Sequence, residues 1–198
     1  MNFHFNMKKL TLIILLIGYC QTVIYAQVGI VKSKISNTIY CNAGDLHFTL
    51  KTDKSLMPDP KWENSNRLAL LENHITLEYF EAFQIQKDIN SSKKPLEIYQ
   101  KWETDYIKSN VPNSVKMSDF KNDNLDVLSK EFKVNTWYYC TYFDKSMKSY
   151  SYFVDIYRMG YFIRIQYQMC NNLEVIRSRM KSLIDQLRFD NNFISIDK

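Results

Sequence analysis

The sequence predicts an α+β domain, an antiparallel sheet packed by two main amphipathic helices in an α/β/α sandwich. Three observations carry this reading. From Tyr161 the odd positions Tyr161, Ile163, Ile165, Tyr167 and Met169 are apolar or aromatic, and Arg164, Gln166 and Gln168 between them are polar. That period of two belongs to a strand with one buried face. The stretches 90–110 and 171–189 instead repeat apolar residues at three- and four-residue steps, the period of a helix with one buried stripe. With only four glycines, four prolines and 15% aromatic residues, the chain has the composition of a packed globular module.

The first 26 residues, "MNFHFNMKKLTLIILLIGYCQTVIYA", read as an export signal: Lys8 and Lys9, an apolar run over 10–17, then the small Ala26 at the cleavage position. That run is shorter than the ~20 residues a membrane span needs. Cys20 offers a second processing point, a lipid anchor, but the bulky Tyr19 before it is unfavourable. Cleavage after Ala26 is the preferred reading, with lipidation at Cys20 left open. Residues 27–198 then form one exported domain, periplasmic or secreted, with no transmembrane segment in the mature chain. Loss of two lysines lowers the formal charge from +5 to +3, spread along the chain without a basic block. A dedicated nucleic-acid binder is not expected.

The elements follow in order. "TIYCNAGDLHFTL" is a first strand region with a turn at "NAGD". The two prolines of "DKSLMPDPKWENSN" mark a loop. Segments 67–71 and 75–83 read as a hairpin turning at "ENH", with Ile75, Leu77 and Tyr79 alternating with Thr76 and Glu78. In the first helix Ser92 is a cap, Pro95 sits in the first turn, and Leu96, Tyr99, Trp102 and Tyr106 form its stripe. A short strand over 115–120 and one or two strands within 127–143 come next. "MG" at 159–160 allows a tight hairpin in which Arg158 pairs with Tyr161, Ile156 with Ile163, Val154 with Ile165 and Tyr152 with Tyr167. Directly opposed residues share a face, so the last three pairs all point to the core. In the final helix Asn172 caps, Glu174 stands in the first turn and Arg188 in the last. Its stripe is Leu173, Ile176, Met180, Leu183, Ile184 and Leu187, and Arg177, Arg179 and Lys181 face solvent.

The run "LHFTL", "PDPKW", hairpin, helix, then "RMGYFIRIQYQMC" and "IRSRMKSLIDQLRF" resembles the PsbP-like group of small exported domains over roughly residues 46–189. The resemblance implies an α/β/α sandwich and a non-catalytic accessory, assembly or partner-binding role. It carries over no functional residue, because the group has no shared catalytic motif.

The chemistry-bearing residues are few. Cys41 and His47 could in principle serve as nucleophile and base, but no nucleophile-elbow context surrounds Cys41. His74 sits at a turn. Glu78 and Glu81 read as ordinary residues of an exposed strand. No phosphate loop, zinc motif or calcium loop occurs, and no cofactor is expected. "RMGYFIRI" echoes an RNA-recognition strand, but the alternation turns Tyr161 inward. Of the three mature cysteines, Cys140 and Cys170 are placed by the expected register about four residues apart along the strands, or ~13 Å. A disulfide needs Cα atoms within ~7 Å, so any bridge is expected to join Cys41 with Cys140 or Cys170. The polar face of the strand, Arg164, Gln166 and Gln168, is the candidate interaction face if no helix covers it.

The function expected from these residues is a non-enzymatic exported protein-binding module of immunity or envelope-assembly type, its partner another exported or envelope protein. The alternatives are a carrier of a small apolar ligand or lipid, suggested by Tyr79, Tyr99, Trp102, Trp137, Tyr139 and Tyr167, and a hydrolase with scattered catalytic residues.

Overall fold

The alternation at 161–169 builds the centre of a large sheet. The structure is a computed structural model that describes residues 29–33, 35–52, 56–59, 67–72, 75–84, 94–112, 114–125, 132–142, 148–192 and 194. The expected export signal, Cys20, His74 and Ser92 lie outside the described residues. Strands β4 (Met57–Pro58), β5 (Arg67–Glu72), β6 (Ile75–Gln84), β7 (Lys116–Met117), β8 (Lys121–Asp123), β9 (Lys133–Tyr142), β10 (Lys148–Arg158) and β11 (Tyr161–Cys170) form this sheet. Its order is β4-β5-β6-β11-β10-β9-β7, with β8 also pairing β9. The chain enters through β1 (Gly29–Lys32), β2 (Thr38–Ala43) and β3 (Leu46–Lys51), and these join the late strand β12 (Arg188–Asp190) in a second sheet, β1-β2-β3-β12. Two helices are described, α1 (Pro95–Asn110) and α2 (Leu173–Gln186).

The expected α/β/α sandwich with two main helices is therefore not what forms. The described residues are mostly antiparallel β, with two sheets and two short helices. The reason lies in the segments that bracket the chain. Ile39, Cys41 and Ala43 on β2, and Leu46, Phe48 and Leu50 on β3, all point one way and are fully buried. This hairpin thus contributes a core face of its own. The "LRF" tail adds to it: Leu187 leaves the helix with φ −66° and ψ 127°, and Phe189 pairs with Phe48. The main core fills the space between the sheets and α2. Phe80, Val154, Ile156, Ile163 and Ile165 meet Ile176, Met180, Leu183 and Ile184 there.

The β10–β11 hairpin has the expected register, Arg158 with Tyr161 through Tyr152 with Tyr167. Its turn holds Met159 at φ 51° and Gly160 at φ 82°, the left-handed pair of a type I′ connection. A bulge between Tyr150 and Tyr152 shifts the far end. The expected strand over 115–120 shortens to β7, and β8 forms in the following stretch 121–123.

Asn172 caps α2 as expected, its Oδ1 accepting from the Glu174 N–H at 3.0 Å and the Val175 N–H at 3.4 Å. Arg188 lies beyond the helix, and its guanidinium donates to the carbonyls of Asp185 and Leu187 at 2.7 and 2.8 Å. Of the three basic residues expected to face solvent, Lys181 does so, 42% exposed and 3.4 Å from Asp185 one turn on, whereas Arg179 and Arg177 reach partners on the large sheet. Arg179 Nε donates to the buried Glu78 at 2.6 Å, and Arg177 clasps Asp123 while pairing with Glu174 at 2.8 Å. Asp123 also accepts from the Tyr152 hydroxyl at 2.6 Å. The Arg177 hydrogen bonds hold the Asp123 carboxyl below its usual range against the opposing effect of burial, with Tyr152 and the Asn124 N–H adding to the shift. These contacts fix α2 to β6 and to β8 of the large sheet.

Candidate functional site

Helix α1 covers the outer face of the large sheet. Pro95 stands at its first turn, with Glu97 there and Lys108 in the last turn, a charge order that suits the helix dipole. Its N-terminal half is anchored: Pro95, Leu96 and Tyr99 are buried. The Tyr99 ring packs at 4.5 Å from Phe162 and 5.3 Å from Phe83. Burial raises the Tyr99 phenol above its ordinary pKa, although Arg164 acts in the opposite sense.

Beyond Tyr99 the sheet presents polar groups, and α1 answers with polar side chains. Arg164 on β11 is 4% exposed and pairs with Asp155 on β10 at 2.8 Å and with Glu103 of α1 at 3.1 Å. Trp137 Nε1–H donates to Asp155 at 2.7 Å. The guanidinium carbon lies 4.8 Å from the Tyr99 ring centroid, 5.2 Å from that of Phe153 and 5.7 Å from that of Trp137, within cation–π range. Burial opposes the Arg164 charge, but Asp155, Tyr99 and Glu103 outweigh it and raise its pKa. One turn earlier, Gln100 accepts from the Asn135 amide at 2.8 Å and donates to Asn122 at 2.7 Å.

With Glu103 and Gln100 on the sheet side, the aromatic residues one step away turn outward. Trp102 is 58% exposed, Tyr106 55% and Ile98 42%. Spaced four residues apart, they make one stripe. Trp102 stacks between its neighbours, 5.9 Å from Tyr99 and 5.9 Å from Tyr106. The expected buried stripe Leu96, Tyr99, Trp102, Tyr106 is thus half right: its first two members are core and its last two are surface. The signal was present in the wheel, because Glu103 falls between Leu96 and Tyr99 in angle and claims the sheet side for charge.

The expected interaction face fares differently. Arg164 is buried beneath α1, so Arg164, Gln166 and Gln168 do not form one open surface; Gln166 and Gln168 are half-buried. The reason is the partner the sequence hides, Asp155, directly opposite Arg164 in register. Cys41 and His47 sit on opposite faces of the smaller sheet. Cys41 is fully buried on the core side, and His47 Nδ1 meets Asn42 Oδ1 at 2.9 Å on the other. A Cys–His catalytic pair is not assembled. Glu78 and Glu81 likewise part, Glu78 to Arg179 and Glu81 to Arg67 at 2.8 Å.

The possible bridge from Cys41 to Cys140 or Cys170 is not formed: all three are free thiols. Cys140 and Cys170 both lie opposite Tyr150, on the strands flanking it. Two strand spacings, roughly 9–10 Å, exceed the reach of a bridge. Cys41, in the other sheet beside Ile30 and Phe48, is enclosed, and burial pushes its pKa up to about 12. The aromatics that suggested a carrier largely pack on one another. Trp137 stacks on Phe153 at 3.9 Å, Phe120 meets Trp137 and Tyr139 edge-on, and Tyr167 packs against the main core. Among the described residues, no group of His, Cys, Asp and Glu side chains suits a metal ion, and no helix is long and apolar enough to cross a membrane. Compared with known families and with curated proteins, the chain matches no family model and no curated sequence.

Proposed function

We propose that this chain is a non-enzymatic, exported binding module that docks a protein partner through the outer stripe of α1. The observation that carries the reading is the exposure of Trp102 and Tyr106, stacked on each other beside Ile98. Trp and Tyr dominate the anchors of protein interfaces, and large aromatic side chains left open on a rigid element are the usual mark of one. The stripe is held in place beforehand. Tyr99 on Phe162 and the Glu103–Arg164 pair pin the helix beneath it, so docking orders little further chain.

The test is recovery of partner from an envelope extract by the tagged mature chain and by its Trp102→Ala/Tyr106→Ala variant. Loss of two anchor residues is expected to lower recovery at least about tenfold, with far-UV circular dichroism unchanged. Equal recovery by the folded variant would refute the assignment.

A further inference from the structure

The opposite flank of α1 from the aromatic stripe forms an open groove of about 390 Å³ against the segment around β8, lined by Lys101, Lys108, Asp119, Phe120 and Asn122 among others. We propose that this groove binds an anionic sugar residue, its carboxylate taken by Lys101 and Lys108 and its hydroxyls by Asn122 and Asp119. Its volume lies within the range of small-molecule sites, about 300–1,000 Å³.

Three features argue for this class. The amides are pre-set: Asn135 donates to Gln100 Oε1 and Gln100 donates to Asn122 Oδ1. With its oxygen engaged, exposed Asn122, which lines the groove, has its two N–H donors to offer a ligand. The charges are unequal. Lys94 neutralises Glu97 at 2.9 Å, whereas Lys101, Lys108 and Asp119 form no ion pair among the described residues. That leaves two cations and one acceptor facing the same space, where charge-assisted hydrogen bonds to a carboxylate are the strong kind. The floor is apolar. The half-buried Phe120 ring is braced edge-on by Trp137 and Tyr139, with the Lys108 ammonium 5.4 Å above it. A bare inorganic anion would leave Asp119 and Phe120 unused, and a neutral sugar would leave both ammonium groups unmatched. A sugar carrying a carboxylate uses all of them.

The experiment titrates the isotope-labelled mature chain with a galacturonate trimer and follows amide shifts. The proposal predicts saturable shifts at Lys101, Lys108 and Asn122 below about 10 mM ligand. It also predicts about tenfold or greater weakening in Lys101→Ala/Lys108→Ala, weakening in Asn122→Ala, and unchanged binding in Trp102→Ala/Tyr106→Ala. Equal binding of a neutral galactose trimer, of sulfate or of glycine, or no saturation, would overturn it. So would unchanged binding in the lysine variant, or equal weakening when Lys51 and Lys148, away from the groove, are replaced instead.

Discussion

Replacing Asp155 by Asn tests the buried network beneath α1. The side chain is 1% exposed and accepts from Arg164 Nε at 2.8 Å, Arg164 Nη2 at 3.2 Å and Trp137 Nε1 at 2.7 Å. An asparagine oxygen can still serve Trp137, and its amide NH2 then faces Arg164 Nε, so the loss is the charge and one acceptor opposite Arg164. Removing one partner of a buried ion pair costs about 3–5 kcal/mol, because the other charge stays in the interior. Glu103, 3.1 Å from Arg164 and 15% exposed, retains part of the compensation and places the expected loss near the bottom of that range, ~3 kcal/mol. At about 2–4 °C per kcal/mol for a chain of this size, the melting temperature falls by about 6–12 °C. Asp155→Ala costs about 1–3 kcal/mol more, since the Trp137 N–H then lacks its acceptor. Glu103→Gln, at the solvent side, costs only about 1 kcal/mol. Urea unfolding followed by tryptophan fluorescence and circular dichroism ranks the three. An Asp155→Asn variant as stable as the parent would show that the network is not closed to water, and a Glu103→Gln variant as damaged as Asp155→Asn would show that Arg164 relies on Glu103 as much as on Asp155.

Met159, exposed and at φ 51°, holds a conformation that glycine or asparagine adopts at lower cost. Met159→Asn is therefore expected to raise stability by about 0.5–1 kcal/mol in urea melts, and a destabilised variant would contradict the type I′ turn. Asp123 supplies pH dependence. Its folded pKa lies below the unfolded value of about 3.9, so its stabilisation is present above that value and is lost as pH falls through the folded pKa. Asp123→Asn should be less stable than the parent at neutral pH and converge on it in acid; parallel curves would refute this. Labelling with a thiol reagent under native conditions should modify half-buried Cys170 first and leave Cys41 until unfolding, because the buried thiol resists forming thiolate. Early loss of Cys41 would show that the two-sheet core opens.

Elements with strict local period could be read from the chain before the structure. The β10–β11 register follows from a two-residue turn and one alternation, since a slip of one residue would turn Ile163 and Ile165 to the wrong face. Asn172 and the Ile176–Met180–Leu183 stripe mark α2 for the same reason. What escaped reading depends on contacts distant in sequence. The smaller sheet is built on the successive strands β1, β2 and β3, but it gains β12 because Phe189 reaches Phe48, a pairing no local pattern encodes. Arg164 looked like a surface residue because its alternation is polar, yet Asp155 and Glu103 make the same position a buried ion pair. That exchange also explains α1. The polar residues went under the helix, and Trp102 and Tyr106, expected in the core, became the exposed face.

The proposed docking role of that face is tested most directly by placing a photo-crosslinking amino acid at position 102, at 106 or, as a control, at the exposed Ser178 of α2, and irradiating intact cells that produce the chain. The account predicts a discrete protein adduct from positions 102 and 106, lost when the neighbouring stripe residue is changed to alanine, and none from 178. No adduct at 102 and 106, or the same adducts from all three positions, would contradict it.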